Sequence, residues 1–140
     1  YGFRLIGNSL KPAEREAMMW IKENVDSDTK IISVTGNPSP EIDPFIEWFP
    51  ALTERRNQST IQGYEWLLGG NFFVRYSDLS ELQKCKSATC VEDWSLRTAL
   101  DYQFVVITHI KENDLINQSF INSETYQQVY ANDEIVIYQR

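Results

Sequence analysis

Lys30-Ile31-Ile32-Ser33-Val34-Thr35, closed by Gly36-Asn37-Pro38, is the stretch on which the fold turns. It is short and β-branched, carries no charge after Lys30, and stops at residues that favour a turn. That pattern predicts a buried strand. Upstream, Pro12 to Val25 predicts an amphipathic helix. Pro12 suits a first helical turn, and Glu14 and Glu16 lie near the positive end of the helix dipole. Ala13, Ala17, Ile21 and Val25 recur at every fourth position, flanked by Met18 and Trp20. Asp26-Ser27-Asp28 interrupts the helix. A helix joined by a short connection to a buried strand is half of a parallel α/β unit.

Beyond the strand, residues 36–66 hold four of the five prolines together with Phe45, Trp48, Phe49, Tyr64 and Trp66. So aromatic a segment is not disordered, and a long irregular stretch inside a compact domain is usually functional. It allows a short helix at Pro44 to Phe49 and a short strand at Ser59 to Gln62. Asn71 to Lys84, Cys90 to Leu100 and Asp114 to Asn122 read as further helices. Gln103 to His109 has a continuously apolar centre, which suits a strand covered on both faces. Tyr126 to Ala131 and Glu134 to Gln139 flank Asn132-Asp133 as a hairpin. The expectation is an α/β, Rossmann-like three-layer domain with a mostly parallel sheet and a C-terminal antiparallel hairpin. Residues 1–11 are expected to be a lead-in, and 12–140 a single domain.

Composition narrows the function. A chain of 140 residues supports one core without staples. It contains no apolar run of membrane-spanning length. Thirteen basic against twenty acidic residues leave a net charge of −7, which argues against a nucleic-acid partner. The chain starts at Tyr1 with its first methionine at Met18, so it is expected to be part of a longer or processed protein. His109 is the single histidine, and a lone histidine at a strand end reads as structural before catalytic. There is no G-x-G-x-x-G, no phosphate-cradling G-x-x-x-x-G-K and no G-x-S-x-G, so neither a cofactor nor a serine nucleophile is expected.

Cys85 and Cys90 admit three readings. A zinc site lacks its second pair of ligands. Two unrelated buried thiols are chemically acceptable. A short-loop disulfide is the favoured reading, and it implies an oxidising compartment. The sequons Asn57-Gln58-Ser59 and Asn117-Gln118-Ser119 are permitted on a secreted surface.

Open parallel sheets bind ligands beyond the carboxyl ends of their strands. Two such ends are legible, Thr35-Gly36-Asn37 and Thr108-His109. The first leads into the densest polar and aromatic cluster, which makes Glu47, Trp48, Arg55, Gln62, Glu65 and Trp66 the candidate binding residues. Ring faces cover the C–H patches of a sugar while polar groups take its hydroxyls. The Arg fork suits a carboxylate or phosphate. The competing reading is that Trp48 and Trp66 anchor the loop to the core. Glu47 and Glu65 form a hydrolase pair only if held across a glycosidic bond. No catalytic residue and no metal ligand is assigned.

Ala17-Met18-Met19-Trp20-Ile21-Lys22-Glu23-Asn24, followed by Lys30-Ile31-Ile32-Ser33-Val34, resembles the opening of the soluble C-terminal domain of large multi-pass membrane glycosyltransferases, including the oligosaccharyltransferase catalytic subunit. The Trp-rich acceptor motif of that subunit is absent, since this strand runs into Thr35-Gly36-Asn37-Pro38. Glu47-Trp48-Phe49-Pro50-Ala51-Leu52-Thr53, Arg55 and Gln62-Gly63-Tyr64-Glu65-Trp66 look like bacterial multi-pass proteins of the glycosyltransferase-like class. The resemblance implies an extracytoplasmic, non-catalytic domain whose partner is the transmembrane part of its own parent chain, with a glycan or lipid-linked sugar as ligand. The alternatives are a free-standing secreted carbohydrate-binding module and a small glycoside hydrolase.

Overall fold

The computed structural model describes residues 10–37, 39, 43–59, 72–108 and 113–140. The elements run α1 (Pro12–Asn24), β1 (Lys30–Val34), α2 (Pro44–Thr53), β2 (Arg56–Asn57), α3 (Phe72–Leu82), α4 (Ala88–Thr98), β3 (Phe104–Thr108), α5 (Asp114–Ile121), β4 (Gln127–Ala131) and β5 (Ile135–Gln139). The five strands form one sheet in the order β2-β1-β3-β5-β4. β1 lies parallel to β2 and β3, while β5 runs antiparallel to β3 and β4 antiparallel to β5. The sheet is therefore mixed. The pairing of β4 with β5 breaks register between Gln128 and Tyr130.

The strands alternate their side chains between two cores, as a period of two requires. Ile31, Val106, Ile135 and Ile137 join Ala17, Met18 and Ile21 of α1 and Phe45 and Phe49 of α2. Ile32, Val34, Val105, Ile107, Val136 and Tyr138 join residues of α3, α4 and α5. Each fully buried branched side chain contributes about 2 kcal/mol by leaving water.

The helices start where their caps dictate. Pro12 opens α1, and the Lys11 amide donates to Glu14 Oε1 at 2.9 Å. Asp43 caps α2 by accepting from the Phe45 amide at 3.0 Å, with Pro44 in the first turn. α2 continues past Pro50 to Thr53, longer than the sequence pattern predicts, and ends at Glu54 with φ 55°. β2 precedes the predicted strand at Ser59 to Gln62, of which only Ser59 is among the described residues. α4 begins at Ala88 rather than Cys90 because the Ser87 hydroxyl accepts from the Cys90 amide at 3.1 Å.

α3 and α4 are tied together three ways. Cys85 and Cys90 form a disulfide with Cα atoms 5.6 Å apart, which decides among the readings of that pair. Trp94 Nε1 donates to the Asp78 carbonyl at 2.6 Å. Arg97 bridges Asp78 and Glu81. Closing so short a loop restricts the unfolded chain by about 2 kcal/mol in the entropy model. Cys85→Ser with Cys90→Ser, or reduction of the native chain, is expected to lower the unfolding free energy by roughly that amount. Urea midpoints with and without reductant measure it, and the double variant is expected to show no further response to reductant.

Candidate functional site

β2 stops after Asn57, so from Ser33 onward the flank of β1 that faced it has no neighbouring strand among the described residues. The backbone there is buried and its polar groups need partners. The Gln58 amide donates to the Ile31 carbonyl at 2.7 Å, continuing the ladder by one step. Ser59 Oγ then accepts from the Ser33 amide at 2.9 Å. Beyond that point a side chain arriving from the end of α3 replaces the strand. Gln83 Nε2 donates to the Ser33 carbonyl at 2.8 Å, and Gln83 Oε1 accepts from the Thr35 amide at 2.8 Å. In a parallel ladder a residue's N–H and C=O bind the groups on either side of its partner. The Gln83 amide fills that place opposite Val34.

Thr35 and Gly36 carry the edge outward. The Thr35 hydroxyl donates to Asp43 Oδ2 and accepts from the Asn37 amide at 3.3 Å. Gly36 turns the chain with φ 79°, a conformation in which a Cβ would clash. On the other flank, Asn113 Nδ2 lies 2.9 Å from the Thr108 carbonyl, 3.0 Å from Thr108 Oγ1 and 3.3 Å from the Val34 carbonyl. The carboxyl ends of β1 and β3 are thus joined by buried side-chain amides and hydroxyls. The chain leaves β1 for β2 on one side and returns to β3 on the other, so this edge is the switch point at which open α/β sheets bind ligands.

Burial pushes the Asp43 carboxyl above the ordinary value, while the Thr35 hydroxyl and the Phe45 and Ile46 amides pull it back. Both carboxyl oxygens are engaged, so Asp43 serves as a helix cap and a brace for the turn after β1.

The candidate residues read from sequence do not converge among the described residues. Glu47 is exposed in the first turn of α2. Trp48 is half-buried against the core shared by α1 and α2. Arg55 lies beyond the far end of that helix, roughly 12 Å further along its axis at the α-helical rise. Its guanidinium donates to the carbonyls of Val25 (2.9 Å), Lys22 (3.0 Å), Glu54 (3.1 Å) and Thr53 (3.2 Å), closing the carboxyl ends of two helices at once. Gln62, Glu65, Trp66 and His109 lie outside the described residues. Among those described, no cluster of His, Cys, Asp and Glu is placed to hold a metal ion.

Asp43, Gln83 and Asn113 escaped the sequence reading. Asp43 had a signal, since Asp followed by Pro marks a helix start. Gln83 and Asn113 had none, because their partners are far away in the chain or are backbone groups.

Two outcomes test this edge. Gln83→Met leaves a buried donor and a buried acceptor unpaired and is expected to cost about 3 kcal/mol. The same change at exposed Gln128 is expected to cost less than about 0.5 kcal/mol in urea unfolding. A raised carboxyl binds its proton more tightly in the folded state, so its contribution to stability falls as pH rises above 3.8, the ordinary Asp value. Asn caps helices as well as Asp does and carries no charge. Asp43→Asn is therefore expected to gain on the native chain as pH rises toward neutrality, read as the difference between their unfolding free energies at several pH values.

Comparison with protein-family models, with curated proteins and with solved structures yields no match to this chain.

Proposed function

We propose that this chain is an extracytoplasmic, non-catalytic domain of a multi-pass membrane glycosyltransferase-like protein. It docks over the membrane half and helps to hold a lipid-linked sugar or its acceptor there. One observation carries the reading. The backbone enters α1 at the same end of the sheet as the carboxyl edge of β1 and β3. Lys11 pairs with Glu134 at 3.0 Å, Asn132 Nδ2 donates to the Ala13 carbonyl at 2.8 Å, and Ile135 sits opposite Thr108. A membrane half attached ahead of α1 then meets the polar edge and the first turn of α2, where Glu47 is exposed.

Two further features support it. The Cys85–Cys90 disulfide suits an oxidising compartment. The parallel β1–α2–β2 unit and the return to β3 support a Rossmann-like three-layer arrangement of the kind that the resemblance implies. No helix among the described residues is long and apolar enough to cross a membrane, so the reading puts the spanning segments elsewhere in the parent.

The test is topological. A phosphatase that works only outside the cytoplasm, fused after Arg140 in the full-length parent, is expected to be active, and membrane fractions are expected to retain the domain. An inactive phosphatase, or a parent without spanning segments, overturns the reading. Within an active parent, Glu47→Gln is expected to slow sugar transfer by about tenfold, some 1.4 kcal/mol in the barrier. The melting temperature of the isolated chain is expected to stay unchanged.

A further inference from the structure

α1 and α2 cover one face of the sheet while α3, α4 and α5 contribute to the other. The α1 and α2 face keeps an open cleft beside the carboxyl end of α1, against the starts of β1 and β3 and the end of β5. Its volume is about 480 Å³, within the range of small-ligand sites. This is the sheet end opposite Thr35, so the cleft is separate from the edge described above.

The floor is apolar. Trp20 is half-buried, its ring centroid 5.2 Å from that of Tyr130 with the planes tilted by 33°, and it lines the cleft together with Phe104 and Val129. The rim is polar. Asn24 uses Nδ2 on the Trp20 carbonyl at 2.9 Å, leaving its oxygen. Gln103 Oε1 accepts from the Lys30 amide at 2.8 Å, leaving an Nε2 whose contact with Asp101 is long, at 3.4 Å. The side chains of Asp26, Thr29 and Gln139 make no hydrogen bond among the described residues. Among the described residues no Lys or Arg lines the cleft and Asp26 is the one charged group, so these residues offer a phosphate or carboxylate no countercharge.

We infer that this cleft binds a neutral saccharide. An indole floor takes the C–H face of a pyranose, and amide, hydroxyl and carboxylate groups at the rim satisfy the ring hydroxyls. The alternating donors and acceptors of Asn24, Gln103, Thr29 and Gln139 match hydroxyls, which both donate and accept. This site needs no membrane half, and it stands or falls independently of the docking edge.

Amide and indole resonances of the 140-residue chain, followed by NMR, test the assignment. The probes are maltose, cellobiose and chitobiose, each titrated to roughly 50 mM so that Kd values weaker than 1 mM are captured. Nα-acetyl-lysine serves as a cationic control. At least one disaccharide is expected to shift the Trp20 indole and the amides of Asp26, Thr29, Phe104 and Val129 together and saturably. Gln139→Ala, a change on an exposed side chain, is expected to weaken that Kd about fivefold, the loss of one hydrogen bond. Trp20→Phe is expected to weaken it further while the amide spectrum stays folded, and Leu96→Ala, an exposed change on α4, to leave it unchanged. The inference is overturned if no disaccharide moves these resonances, or if Gln139→Ala leaves the affinity as it was. Response to Nα-acetyl-lysine alone also overturns it, because the cleft is then a cation site.

Discussion

The primary amide of Gln83 stands where β2 would otherwise continue, and the carboxyl end of β1 depends on it. Buried backbone groups without partners cost more than a typical hydrogen bond gains. β1 is the central strand of the parallel part of the sheet, so its end cannot be left bare while its side chains fill both cores. Gln83 can do this because α3 ends beneath the edge, and α3 is held there by its ties to α4. The disulfide begins two residues after Gln83. Covalent, ionic and hydrogen-bonded links to α4 thus fix the position of one side-chain amide.

The same economy shapes the ends of the α1 and α2 layer. Arg55 joins the carboxyl ends of both helices by binding four backbone carbonyls. A cation at that place also complements the negative ends of two helix dipoles. On this face the strands keep Trp20's neighbours Phe104, Val129 and Tyr130 half-exposed. The chain enters at one end of the sheet and the Trp20 cleft opens at the other. The two ends therefore differ in chemistry: buried amides and hydroxyls at one, an indole floor with a polar rim at the other.

Much of the fold was legible because its signals are local. Lys30 to Thr35 reads as a covered strand from composition alone, and Asn132-Asp133 between two β-rich runs reads as a hairpin. The cysteine pair was read from its spacing and from the ligands that zinc would have lacked. What was not legible depends on contacts between distant residues. β2 is two residues long because side chains take over its hydrogen bonding, and no local pattern announces that. The helix at Pro44 passes Pro50, where a rule of thumb would stop it; the Thr53 hydroxyl bonds the Phe49 carbonyl at 2.7 Å in its last turn. The switch-point rule pointed at Thr35, yet it named neither Gln83, 48 residues away, nor Asn113. Arg55 shows the limit most plainly. Its residue type fits an anion fork, while its position commits it to helix ends.

The shift in register between Gln128 and Tyr130 has its own consequence. β4 is an outer strand, and an outer strand with regularly spaced free amides and carbonyls is a template for another chain. The irregularity bends and twists that border, so its unpaired groups no longer lie in the line that an incoming strand needs. Past the end of the short β2, an amide side chain satisfies β1 without offering a continuous backbone. The bulge makes β4 a poor template for an added strand.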